Sequence, residues 1–258
     1  MSTIKTLVQS QFSAAAERYV RSAGHAHGSD LQRMLQLAQP EPTARMLDIA
    51  TGGGHTALAF APLVQEVIAT DLTEEMLTAA AAFVASQGVE NIHFERADAE
   101  ALPYEDASFD IVTSRIAPHH FPDPQRFVSE VARVLRPGGQ FVLDDNMAPD
   151  DPELDAFFNT FEKWRDPSHV RAWTIAEWSD WLRAAGLTIT QTDPLERKRY
   201  HFTEWVERLA MPHDQQLALD HWLQAASAHC RDFFQVEVSD GHVQSLCGTF
   251  AIILARRA

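Results

Sequence analysis

The chain has 258 residues, 45% of them apolar and 22% charged, which suits a globular protein with a large core and excludes disorder, collagen or coiled coil as the dominant state. It carries 21 basic against 36 acidic residues, a net charge of −15, which argues against a nucleic-acid partner. Cys230 and Cys247 match no disulfide framework and no zinc spacing, there is no apolar leader, and no run approaches the roughly 20 apolar residues of a membrane span, so a reduced, cytoplasmic setting is expected.

In residues 1–42, Phe12, Ala15, Tyr19 and Val20 recur at helical spacing, and Gly24 and Gly28 break that helix. Ser29 with Gln32 reads as a capping box for a second helix carrying Leu31, Met34, Leu35 and Ala38, ended by Pro40 and Pro42. Residues 45–146 alternate strand and helix. Strands are expected at 45–50, 67–71, 92–98, 109–116 and 139–145, and helices at 54–62, 74–86 and 124–135. Such alternation implies a parallel sheet with helices on both faces. Beyond residue 147, Asp151-Pro152 opens a helix with the aromatic stripe Phe157, Phe158, Phe161 and Trp164. Thr174 with Glu177 caps another, which stops at Gly186. A strand at 187–192, a helical stretch at 203–231, a turn at Asp240-Gly241 and a buried strand at 248–254 follow.

The strand Met46–Ala50 runs into Thr51-Gly52-Gly53-Gly54-His55 and then a helix. Glycines there admit a ligand close to the backbone, and the helix start offers free N–H groups. A second strand ends at Asp71, 19 residues after Gly52, where a carboxylate can accept both hydroxyls of a ribose. The turn is not Gly-x-Gly-x-x-Gly, because Ala57 stands at the third glycine position, so a nicotinamide or flavin cofactor is disfavoured. Asp98, after the third strand, suits either an adenine amino group or a helix cap.

Leu47-Asp48-Ile49-Ala50-Thr51-Gly52-Gly53-Gly54, then Ala69-Thr70-Asp71-Leu72-Thr73 with Met76-Leu77, resembles class I S-adenosylmethionine-dependent methyltransferases. Asp98-Ala99, Leu102-Pro103-Tyr104, Ser108–Val112 and Val134–Gly139 extend the likeness, which is greatest to the ubiquinone/menaquinone-biosynthesis type and related small-molecule enzymes. Ala50 departs from a pattern in which many members have glycine. Arg165–Arg171 looks like a segment of poorly characterised bacterial members.

The resemblance implies a Rossmann-like α/β fold: a seven-stranded, mostly parallel sheet with an antiparallel last strand. It implies an N-terminal helical lid over 1–42 and a methyltransferase domain over 43–258, with cap insertions near 147–173 and 199–232. It implies S-adenosylmethionine as cofactor and S-adenosylhomocysteine as product. The backbone of Ala50, Thr51, Gly52 and Gly54 would hold the methionine part, with Tyr19 near its carboxylate. Asp71 would hold the ribose, Leu72 and Met76 the adenine faces, and Asp98 and Ala99 its edge. Ser114 and Arg115 would stand near the sulfonium.

Methyl transfer to a phenol, enol or amine also needs a proton acceptor, and His119 and His120 after the fourth strand are the candidates, with His119 preferred. The expected acceptor is a small, flat, apolar molecule, aromatic, quinone or polyketide-like, methylated on carbon or oxygen. The aromatic stripe together with Trp173, Trp205 and Trp222 suits either the core of a cap or the lining of its pocket. The alternative is a protein that uses bound S-adenosylmethionine in a cyclisation or rearrangement. No metal is expected, although Asp144, Asp145 and the His25-x-His27 pair hold ligand-type side chains. A homodimer is compatible with these expectations.

Overall fold

The computed structural model describes residues 3–14, 16–20 and 28–258. The readings made on Ala15, Gly24, His25 and His27 therefore lie outside the described residues.

Among the described residues the elements in chain order begin with α1 (Thr3–Ser13), α2 (Ala16–Val20) and α3 (Ser29–Ala38). The alternating region follows: β1 (Arg45–Ile49), α4 (His55–Phe60), β2 (Glu66–Asp71), α5 (Glu74–Ser86), β3 (Ile92–Arg96), β4 (Phe109–Arg115), α6 (Pro124–Val134) and β5 (Leu135–Ala148). Then come α7 (Pro152–Arg165), β6 (Trp173–Thr174), α8 (Ile175–Ala184), β7 (Leu187–Thr192) and β8 (Glu196–His201). The last elements are α9 (Phe202–Glu207), α10 (His213–Gln224), α11 (Ala228–Phe233), β9 (Glu237–Ser239) and β10 (His242–Arg257).

The main path of the sheet is β3-β2-β1-β4-β5-β10-β7, with β6 added to β5 and β8 and β9 added to β10. Strands β1 to β5 run parallel, and β10 is antiparallel to both β5 and β7. The expected Rossmann-like sheet with its reversed last strand is present.

Side-chain alternation explains why this sheet needs two covers. Leu47, Val112, Phe141 and Leu143 enter one core with Phe127, Val131 and Trp178. Their neighbours Met46, Ile111 and Val142 enter the opposite core with Met34, Phe60 and Val84. With both faces apolar, helices must lie on both. A third core joins α7, α9, α10 and α11 to the first half of β10, through Phe158, Phe161, Trp205, Leu223, Phe234 and Leu246.

Local signals set several boundaries. Asp151 accepts the N–H groups of Glu153 and Leu154 and starts α7. Thr174 and Glu177 form both halves of the expected capping box. Asp240 and Gly241 both have positive φ, 54° and 79°, as the tight turn between β9 and β10 requires. Two expectations are corrected, and one strand is added. Gly28, not Ser29, is the N-cap of α3 and no side chain bonds there, so Ser29–Gln32 is not a capping box. The stretch 203–231 is three helices rather than one, interrupted at Met211-Pro212 and capped afresh by Ser227. Strand β8, which reads as polar in sequence, pairs with β10 over Ser245–Phe250.

Phe127 is fully buried between α6, β5 and Trp178. Phe127→Ala is expected to lower the unfolding free energy by about 3–5 kcal/mol in urea denaturation; a loss under about 1 kcal/mol would contradict its central place in the core.

Candidate functional site

Two joined cavities open at the carboxyl ends of the parallel strands, where ligands bind in open α/β sheets. The first, about 120 Å³, is walled by the β1–α4 turn, the ends of β2 and β3, and the segment after β4. The second, about 320 Å³, lies between β4, β5, α7, β8 and α9. Phe12, Tyr19, Ile116 and His120 line both and form the junction.

The turn after β1 is built from backbone strain and close approach. Ala50 has φ 56° and Gly52 φ 54°, so a non-glycine residue at 50 occupies a left-handed conformation, which explains why glycine suits this position. A Cβ on Gly53 would come within 3.2 Å of the Tyr19 carbonyl and the Val20 Cα, so the turn packs directly under α2. Below it, the buried Asp48 carboxylate accepts Thr51 Oγ1 and Thr113 Oγ1, each at 2.6 Å. Burial pushes its pKa up to about 6 against these two hydrogen bonds.

Asp71 ends β2 and accepts the Gly52 N–H at 3.1 Å and the Thr73 N–H at 2.9 Å. Burial raises its pKa above the ordinary carboxylate value. Helix α1 crosses this end of the first cavity. Lys5 Nζ reaches Asp98 at 2.6 Å and Glu100 at 2.5 Å, and Gln9 donates to the Leu72 carbonyl at 3.0 Å. Phe12 stands edge-on to both Tyr19 and His120.

Of the residues expected at the cofactor, Tyr19, Ala50, Thr51, Gly52, Asp71, Leu72, Met76, Asp98, Ala99 and Arg115 line the first cavity together. Gly54 and Ser114 are placed elsewhere. Gly54 has φ 80° and faces Ala80 and Val84 of α5, and Ser114 is buried with its hydroxyl on the Ile49 carbonyl at 3.1 Å. Asp98 is taken by Lys5, and Arg115 by Asp30, with Nε to Oδ2 at 2.7 Å. Lys5, Gln9, Phe12 and His55 join the site without a sequence signal that singled them out, and Gly53 joins it as part of the glycine turn. A trough with Asp71 at the end of β2, apolar Leu72 and Met76 beside it, and a glycine turn packed closely under α2 fits an adenosine bearing an amino-acid arm.

The histidines diverge. His119 Nδ1 lies 2.6 Å from Asp145 Oδ1, both buried, so Nδ1–H donates to the carboxylate and Nε2 is left on the second cavity. Burial alone would lower the His119 pKa, but the Asp145 carboxylate outweighs it and the pKa is raised above 6.5. His120 Nδ1–H donates to the Ser168 carbonyl at 3.1 Å. Burial, and then the charge of His119, push its pKa down to about 3, so it is neutral. The segment Arg165–Arg171 supplies this scaffold, since the Val170 and Arg171 N–H groups also bond the His119 carbonyl.

The aromatic stripe is not on either cavity. Phe157 stacks on Trp222, Phe158 on Phe234, and Trp164 also meets Trp222, because α7 uses this face to build the third core. Trp173 packs on Trp181, and of the expected group only Trp205 lines the second cavity. Asp145 serves His119, Asp144 lies 3.5 Å from Arg115 Nε, and among the described residues no group of three or more His, Cys, Asp or Glu is placed to hold a metal. No described helix is long and apolar enough to cross a membrane.

A family described as "Methyltransferase domain" matches residues 47–143. The chain is 41% identical over 240 residues to the uncharacterized methyltransferase YcgJ of Bacillus subtilis (strain 168), covering 93% of this chain and 94% of that protein. The crystal structure of the YcgJ protein superimposes with a TM-score of 0.87 at 40% identity, over 90% of this chain and 99% of that one. A demethylmenaquinone methyltransferase of Clavibacter sepedonicus is 33% identical over 165 residues, 57% of this chain and 66% of that protein.

The His119–Asp145 pair makes a titration test. In wild type, the His119 imidazole is expected to titrate above 6.5 by NMR; in Asp145→Asn, the largest influence opposing burial is lost, Glu162 and Asp166 remain, and it should titrate lower than in wild type. Because the folded-state pKa is raised, the pair stabilises the fold fully at pH below 6.5 and loses that contribution as pH rises through the folded pKa. An unchanged His119 titration in the variant would contradict the pairing.

Proposed function

We propose, for a chain that belongs to the class I S-adenosylmethionine-dependent methyltransferases, that the first cavity takes the cofactor, the second takes a small acceptor, and His119 is the base. Membership makes the protein an enzyme that moves a methyl group from S-adenosylmethionine. The observation that carries the finer reading is the buried His119–Asp145 pair on the wall of the second cavity, next to the first.

When bound, S-adenosylmethionine supplies a methyl group activated by its sulfonium. The chain's own residues supply orientation, a dry site and a proton acceptor. Asp71 holds the ribose hydroxyls, Leu72 and Met76 cover the adenine, and the Ala50–Gly53 backbone carries the methionine part. Helices α1 and α2 act as a lid, since Lys5, Gln9 and Phe12 already bridge the cavity from above. The cap is formed by α7 and the β8–α9 segment, which give the second cavity its outer wall.

Asp145 fixes the Nδ1–H tautomer of His119 and directs Nε2 at the hydroxyl or enol proton of the acceptor. His120, neutral and at the junction, positions rather than titrates. The flat surfaces of Phe12, Tyr19, Tyr200, Trp205 and Phe250 suit an aromatic or quinone-like ring, methylated on carbon or oxygen. The likeness to a demethylmenaquinone methyltransferase supports that class.

Calorimetric titration with S-adenosylhomocysteine should give saturable binding that Asp71→Ala weakens by about tenfold or more. His119→Gln should lower kcat on a quinol or phenol acceptor by about 10²–10⁴ while leaving that affinity within about twofold. Wild-type turnover in His119→Gln would remove it as the base, and absence of cofactor binding by folded wild type would remove the reading of the first cavity.

A further inference from the structure

We infer that the acceptor carries an anionic group, a carboxylate or a phosphate, received in the second cavity by Lys198 and Arg208 beside Arg165. The inference rests on the reading of that cavity as the acceptor site.

In a chain with 21 basic and 36 acidic residues, a cation has an anion within easy reach almost anywhere on the surface. The described lysines and arginines behave accordingly: they are held by carboxylates, carbonyls or aromatic rings, as Arg33 is by Asp193, Lys163 by the Pro167 and His169 carbonyls, and Arg197 by Phe233. Among the described residues, Lys198 and Arg208 are the two whose charged groups have no hydrogen bond, close ion pair or ring contact. Both are half-buried and both line the second cavity. A third basic group faces the same space. Arg165 gives Nη2 to Glu162 at 3.1 Å, but its buried Nε has no partner.

The acidic groups of this cavity do not answer these cations. The Lys198 charge acts on Asp30 without a close ion pair, and Asp30 is held by Arg115 at 2.7 Å. Asp166 Oδ1 accepts the Ser168 N–H and hydroxyl, at 2.8 and 2.5 Å, and Oδ2 lies 3.9 Å from His120 Nε2. Glu162 accepts from Arg165. Asp144, fully buried beside Asp30, has its pKa pushed well above the ordinary carboxylate value, first by burial and then by the Asp30 charge. Glu204 is exposed, one turn before Arg208, and makes no ion pair with it, so it competes for the anion without neutralising the cation in advance. The Arg208 charge also acts on Tyr19 and Tyr200, which line the same cavity.

Two unpaired cations and an unused buried guanidinium N–H in one concave wall match an oxyanion with several acceptor oxygens. Such groups in a partly desolvated wall cost free energy until an anion arrives, so they favour a charged ligand over its neutral analogue. They also hold a substituent away from His119, so that the ring rather than the anion lies at the proton acceptor.

The test uses the full chain, with and without saturating S-adenosylhomocysteine, titrated calorimetrically with benzoate and with inorganic phosphate at constant ionic strength. Saturable binding of one anion is expected, and which one identifies the source. Lys198→Met/Arg208→Met should weaken it by about tenfold or more, Arg208→Lys should retain most of it, and Glu204→Gln should tighten it. Affinity for S-adenosylhomocysteine, unchanged in all three variants, reports that they are folded. Binding of neither anion by wild type, or equal binding by the double variant, overturns the inference. Loss of S-adenosylhomocysteine binding in wild type strikes the reading of the first cavity instead, and the anion titration without it still decides this one.

Discussion

The Asp48 carboxylate, 1% exposed at the end of β1, is the constraint on which the geometry of both cavities depends. A buried carboxylate is tolerated only where its oxygens are bonded, and here each takes a threonine hydroxyl. Thr51 belongs to the glycine turn and Thr113 to β4, so one side chain ties that turn to the neighbouring strand. Two further hydroxyls extend this link across the strand ends, Thr70 to the Asp48 carbonyl at 3.2 Å and Ser114 to the Ile49 carbonyl at 3.1 Å. Ser114 therefore matters by fixing the register of β4 against β1, and through it the position of Arg115 and Ile116.

Positive φ values at Ala50 and Ile116, 56° and 54°, flank this link on its two strands. Left-handed conformations at residues with a Cβ persist only where the surroundings over-determine them. The hydroxyl ladder beneath them provides that constraint. The turn and the segment after β4 consequently leave the sheet toward the same space, and the junction of the two cavities lies between them.

The parts of this architecture that rest on local periodicity were legible in the sequence. The alternation of strands and helices, the Thr174–Glu177 box, the Asp240-Gly241 turn and the spacing from Gly52 to Asp71 all depend on near neighbours. The parts that rest on distant partners were not. Lys5 meets Asp98 across 93 residues, and nothing in either local pattern announces it. The aromatic stripe of α7 was legible as an apolar face but not its destination: helices added beyond the main sheet need a core of their own, and that core consumed the rings before any cavity could. Strand β8 is polar along its length because it lies at the edge of β10, facing a cavity, where apolar alternation is not required.

The dipeptide His119-His120 illustrates how little residue type fixes chemistry. The rings lie 4.1 Å apart, both buried, yet their pKa values move in opposite directions. The difference lies in the second partner: a carboxylate for His119, a neutral carbonyl for His120. Once His119 gathers positive charge, that charge itself helps to hold His120 neutral. The ring shared by both cavities is thus the uncharged one, and the ring that attracts a proton is set back in the second cavity alone. A cationic sulfonium in the first cavity would be repelled by a protonated imidazole at its margin, so this division suits the proposed cofactor. In the proposed reaction a proton taken from an acceptor would rest on His119, where Asp145 would balance it, and in the proposed binding mode Lys198 and Arg208 would offer their charge to the same molecule.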